Sequence, residues 1–120
     1  MIRYLMDENV DPLYRSELLR HEPSLVVWRV GSLGAPLSES LDPDILVWCE
    51  QHGFLLVTNN RQSMPEHLQN HLAEGRHIPG ILELNPSMSI GETIDELLLI
   101  WAASKEDEYA DRIVFLPVSY

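Results

Sequence analysis

Apolar residues along the chain alternate between short continuous runs and stripes of helical spacing. Ile2-Arg3-Tyr4-Leu5-Met6 is an apolar run that stops at Asp7-Glu8-Asn9, which predicts a first strand ending in acid. Asp11-Pro12 supplies a helix cap followed by proline at the first helical position. Tyr14, Leu18 and Leu19, with Leu13, then form a stripe, so a helix is expected over about 11–21. Pro23 closes it ahead of the β-rich Leu25-Val26-Val27-Trp28-Arg29-Val30. Asp42-Pro43 repeats the cap-and-proline start for a second helix running to about His52, Gly53 suits its C-terminal stop, and Phe54 to Thr58 reads as a third strand. Ser63-Met64-Pro65-Glu66 has capping-box spacing for a third helix over about 64–74, with Met64, Leu68 and Leu72 on one face and Gly75 at its end.

Ile78 to Leu84 predicts a fourth strand. Ser89-Ile90-Gly91-Glu92 is a further capping box, opening a helix that turns Ile94, Leu97, Leu98 and Trp101 inward, and Arg112 to Pro117 gives the last strand. Strand runs that are apolar on both faces and alternate with helices predict a single α/β domain over 1–120, with a mostly parallel central sheet and helices on both faces. Residues 31–41 mix turn formers with isolated apolar residues and make a loop long enough to act as a flap.

Composition narrows the function. At 120 residues, 45% hydrophobic and 22% charged, the chain fits one ordinary globular domain. Its longest apolar run, Leu97 to Ala103, falls far short of the roughly 20 residues a membrane span needs, and the start lacks a secretory hydrophobic segment. A soluble cytoplasmic protein without membrane contact is therefore expected. A net charge of −11 argues against broad, sequence-independent nucleic-acid binding, which depends on cations neutralising phosphates. Cys49 is the only cysteine and lies in an apolar helical run, so it is expected to be a small core residue. Trp28, Trp48 and Trp101 sit inside elements and are expected to pack rather than to stack on bases, and the acidic run Lys105-Glu106-Asp107-Glu108 reads as solvated surface.

In a parallel sheet, ligands bind beyond the carboxyl ends of the strands. There the chain offers Asp7-Glu8-Asn9 after the first strand, Asn59-Asn60-Arg61 after the third, Asn85-Pro86 after the fourth, and Asp42 at the second helix. Such oxygen-rich groups suit Mg2+ or Mn2+, and Asp7 and Asp42 are the candidate metal ligands. Asp42 has a competing reading as a plain helix cap, whereas Asp11 already caps the helix after Asp7. Glu8 is expected to point away from Asp7, and Asn9 to order the turn. His67 and His71, four apart on the third helix, have zinc-like spacing but no third ligand, so exposed helix histidines are expected. No glycine-rich phosphate loop and no Gly-x-Ser-x-Gly elbow is present. A response-regulator receiver is disfavoured, since the expected phosphoacceptor aspartate is replaced by Thr58-Asn59-Asn60.

The segments Tyr4-Leu5-Met6-Asp7-Glu8-Asn9-Val10, Asp42-Pro43-Asp44-Ile45-Leu46 and Gly53 to Asn60 resemble a PIN-like family of bacterial proteins, akin to the Mut7-C group and to toxin-type PIN ribonucleases. The resemblance covers about the first half of the chain. It implies a PIN-like fold and a Mg2+- or Mn2+-dependent endoribonuclease, with RNA as substrate and an antitoxin, another protein or a second copy of the chain as partner. By that likeness Asp7, Asp42 and Asn60 are the catalytic and metal positions, and Asn9, Asn59 and Arg61 are the substrate-binding ones. Asn60 and Gln62 stand where the family carries acids, which implies either reduced activity or a catalytically inactive protein-binding module.

Overall fold

The computed structural model describes residues 1–118. Every predicted element is present, in the order β1 (Tyr4–Met6), α1 (Pro12–His21), β2 (Val27–Arg29), α2 (Asp42–His52), β3 (Leu55–Thr58), α3 (Met64–Ala73), β4 (Ile81–Glu83), α4 (Ile90–Ala103) and β5 (Ile113–Phe115). The strands form one all-parallel sheet in the order β2-β1-β3-β4-β5, so the chain is an α/β domain with helices on both faces. Strands are shorter than the apolar runs that foretold them. β4 begins at Ile81 rather than Ile78 because Pro79 cannot donate to a ladder and Gly80 has φ of +148°.

Several predicted ends form as expected. The Asp11 carboxylate accepts from Leu13 N–H at 2.9 Å, the Ser89–Glu92 capping box closes in both directions, and Gly53 ends α2 in the left-handed region. Two others do not. Asp42 is not the cap of α2: Leu41 takes that position, and Asp42 is already the first helical residue, its carboxylate turned elsewhere. Ser63 makes no side-chain cap on α3, because its hydroxyl accepts from Asn60 instead.

Alternate residues of the buried strands feed two cores. Tyr4, Met6, Leu55, Val57, Leu82 and Leu84 face α1 and α4, and the Tyr4 hydroxyl donates to the Leu97 carbonyl at 2.7 Å. Leu5, Leu56 and Ile81 face α2 and α3, where Ile45, Leu46, Met64 and the buried Cys49 cover them. Trp28 and Trp48 pack against the second core and Trp101 against the first, each half-buried. Leu13 departs from its predicted stripe and is exposed. Lys105 to Glu108 are exposed as expected. Among the described residues no helix is long and apolar enough to cross a membrane.

The layering carries one topological exception. The steps β1 to β2 and β4 to β5 run in opposite directions along the sheet, yet their helices, α1 and α4, lie on the same face. The β2 to β3 and β3 to β4 steps share one hand with β1 to β2, so the β4-α4-β5 connection has the other. Parallel crossovers are right-handed in about 98% of cases, which makes this last one the left-handed exception. It brings α4 over β1 and β3 and lets β5 return under a loop whose Tyr109 is buried.

That return depends on Gly80. A Cβ there would lie 2.8 Å from both the Cβ and the carbonyl oxygen of Tyr109, and the positive φ already disfavours any side chain. Gly80→Ala is expected to cost about 1–3 kcal/mol, read as a lower urea midpoint with an unchanged slope.

Candidate functional site

The strand order reverses between β1 and β3, the place where a crevice opens beyond the strand ends. Register then decides what lines it. Leu5 pairs with Leu56 and Leu56 with Ile81; two residues on, Asp7, Thr58 and Glu83 form the last row across β1, β3 and β4, on the face that α2 and α3 cover. A sheet edge with two buried carboxyls in one row is unusual enough to call for a cause.

Asp7 is 5% exposed. Its Oδ2 accepts from the Thr58 hydroxyl at 2.8 Å and its Oδ1 from the Glu8 N–H at 2.7 Å. Burial pushes its carboxyl above the usual value; the two hydrogen bonds oppose that, and the charges of Asp42 and Glu8 add to it. Thr58 also accepts from the Asn60 N–H at 3.1 Å, so one hydroxyl joins Asp7 to the start of the β3–α3 turn.

Asn60 is the hub on the other side. Its carboxamide donates to Asp42 Oδ2 at 3.0 Å and to Ser63 Oγ at 2.7 Å, while its Oδ1 accepts from Ser63 N–H. Asp42 is thus bound to the site through Asn60, with His67 Nε2 at 3.6 Å. His71, expected to be exposed, is buried instead: its Nε2 lies 3.0 Å from the His77 carbonyl oxygen and 3.3 Å from Glu50 Oε1. The two histidines therefore serve different carboxylates and make no shared zinc site.

Glu83 went unnoticed in the sequence, where it looked like one residue of an apolar strand. It is fully buried, and among the described residues neither of its carboxylate oxygens has a hydrogen-bond partner. Burial drives its carboxyl up to about 7; Arg61 pulls it down and the Asp7 charge raises it further. An unsatisfied buried polar group costs about 1–3 kcal/mol, so a carboxyl left in this state calls for a compensating function. The one sequence signal was an acid flanked by Leu82 and Leu84 in a strand apolar on both faces.

Glu8 turns toward the 31–41 loop, its Oε1 accepting from the Glu39 N–H at 2.7 Å, and its carbonyl takes Arg29 Nη2 at 2.7 Å. This ties the predicted flap to the acidic end of β1. Asn9, Asn59 and Arg61 lie on the opposite side of the β3 end, around a separate cleft; Asn59 Nδ2 donates to the Asn9 carbonyl at 3.3 Å, and Arg61 Nη2 to the Leu84 carbonyl at 3.0 Å. Gln62 is exposed. Cys49 is buried, and burial followed by the Asp7 charge pushes its thiol upward, which leaves it unreactive.

The donor set is hard oxygen, as Mg2+ and Mn2+ require, and the free oxygens of Glu83 could accept a cation. Among the described residues, no three His, Cys, Asp or Glu side chains are gathered tightly enough to hold a metal ion alone. Asn60 supplies an amide at the point nearest Asp42. Any cation would therefore rest on a pair of carboxylates with retained waters rather than on a full protein cage. Compared with protein-family models, curated proteins and solved structures, the chain matches none.

Raised carboxyl values fix the sign of the pH dependence. Between 4.5, the ordinary value, and about 7, folded Glu83 holds a proton that the unfolded chain releases. Its contribution to stability is present below the lower value and is lost as pH rises through the upper one; Asp7 acts in the same direction. Thermal unfolding at about pH 5 and about pH 8 should show a higher midpoint at the lower pH, and Glu83→Gln should shrink that difference. An undiminished difference in the variant would assign the effect elsewhere.

Proposed function

We propose that this chain is a PIN-like, Mg2+- or Mn2+-dependent endoribonuclease acting in the cytoplasm, with Asp7, Glu83 and Asp42 as its acidic centre. The observation that carries this reading is the row of buried carboxyls at the sheet's switch point, with Glu83 unpartnered and driven up to about 7. Asp7 accepts two hydrogen bonds and Asp42 one from Asn60, whereas Glu83 accepts none among the described residues. The all-parallel sheet with helices on both faces agrees with the PIN-like resemblance of the first half of the chain.

Asp7 and Glu83 would hold the ion, and Asp42 would neutralise it from the α2 side. When bound, such an ion supplies Lewis-acid stabilisation to the attacking hydroxide and the leaving oxygen of a phosphodiester. The Thr58 hydroxyl and the Glu8 N–H fix Asp7 in one orientation, so its oxygens need no rearrangement to serve as ligands. Arg61, beside Glu83, offers the scissile phosphate a planar cation.

A second reading has its own support: a PIN-like domain without catalysis, serving as a binding module for an antitoxin, another protein or a second copy of itself. Asn60 favours it, because its amide N–H already engages Asp42 Oδ2 and brings no negative charge for a cation.

Two variants separate the readings. On single-stranded RNA with Mn2+, the wild-type chain should cleave, and Asp7→Asn should lower the rate by about 100-fold. Asn60→Asp, which replaces the amide with a charge, should tighten Mn2+ by about tenfold, seen as a larger rise in unfolding temperature at equal metal. No cleavage and no metal-dependent shift in the wild-type chain would leave the binding module standing.

A further inference from the structure

Across the β3 end from the acidic row lies a cleft of about 330 Å³. Thr58 and Asn60 serve the acidic side, and Asn59, between them, turns to this cleft. Arg61 belongs to both, lining the cleft while its charge acts on Glu83. The cleft therefore abuts the proposed reaction centre and is separated from it by one residue of chain.

Its chemistry differs from that centre. Asn9, Asn59 and Asn85 bring three carboxamides, Tyr14 a half-buried ring, and Pro86 an apolar edge. The one carboxylate in the lining, Asp11, is engaged in capping α1. Asn59 offers its Oδ1, Asn85 keeps its amide N–H groups while its Oδ1 takes Ser87 N–H, and Arg61 spends one donor on Leu84. Adjacent uncharged donors and acceptors beside an aromatic face match a flat heterocycle with a hydrogen-bonding edge. They do not match a metal or a free phosphate, which would call for carboxylates or several cations.

The charge of the chain points the same way. At −11 it gains little from neutralising a run of phosphates, so affinity for RNA has to come from bases splayed out of a single strand. A volume of this size, near the lower limit of small-molecule sites, holds one nucleoside and not a duplex. We propose that this cleft binds the base of the nucleotide next to the cleaved phosphodiester and so sets the sequence preference of the enzyme. The choice of RNA rests on the nuclease reading above; the recognition of a nucleobase rests on the cleft.

The test is titration of the full chain with each of AMP, CMP, GMP and UMP in EDTA, followed by NMR on the side-chain amides and the Tyr14 ring. One nucleotide should bind more tightly than the rest, with shifts centred on Asn9, Asn59 and Asn85. Asn59→Ala, at an exposed side chain, and Tyr14→Leu should each weaken it by about tenfold, while Asn70→Ala, in a separate cleft lined by α2 and α3, changes nothing. Equal, unsaturated responses to all four nucleotides, or shifts centred elsewhere, would overturn the proposal. EDTA removes the metal, so binding without any cleavage in the parallel Mn2+ assay would defeat the nuclease reading and leave the cleft's recognition of bases intact. Cleavage whose site preference survives both cleft variants would do the reverse.

Discussion

A single hydroxyl joins the two halves of the site. Thr58 ends β3, donates to Asp7 at the end of β1 and accepts from the Asn60 amide, whose side chain reaches Asp42 on α2. Without it Asp7 would keep only the Glu8 N–H, in a buried position where an uncompensated carboxylate is costly. Valine in its place would match the shape and lose both bonds. The distance between the acidic row and α2 is therefore set by side-chain hydrogen bonds, on a sheet whose register has already put Asp7, Thr58 and Glu83 side by side.

The β3–α3 turn then divides the labour. In an extended chain successive side chains point to opposite faces, so Thr58 and Asn59 serve different environments even though they are neighbours. That alternation separates an acidic centre under α2 and α3 from a carboxamide-rich cleft under α1 and α4. α4 can form the wall of that cleft because of the reversed hand of the β4-α4-β5 connection. A helix with the usual hand would lie with α2 and α3 and leave the cleft open.

The alternation of strands and helices was legible in the sequence because it rests on local periodicity and on caps such as Asp11, Ser89 and Gly53, which need no tertiary partner. The failures share a cause. Asp42 and Ser63 each carried the spacing of a cap, yet both were claimed by Asn60, a residue 18 and three positions away that only the folded turn brings near. His71 reads as exposed from sequence because nothing local announces Glu50 or the His77 carbonyl. Glu83 was missed for the opposite reason: its neighbours Leu82 and Leu84 made an apolar strand so persuasive that the acid within it passed as strand. The hand of the last crossover has no sequence signature at all.

Asn60 also bears on how the acidic centre folds in the absence of a cation. Burial raises the carboxyls of Asp7 and Glu83; the charges of Asp42 and Glu8 add to the first, and that of Asp7 to the second. A further carboxylate at position 60 would repel Asp42 and would bind it only through a shared proton or an ion. The carboxamide instead donates to Asp42, accepts from the Ser63 N–H and adds no charge. An amide rather than an acid at this position would weaken any cation site while it relieves the folded state. Stability without metal and strength of metal binding pull in opposite directions at this one position, and the amide places this chain on the side of stability.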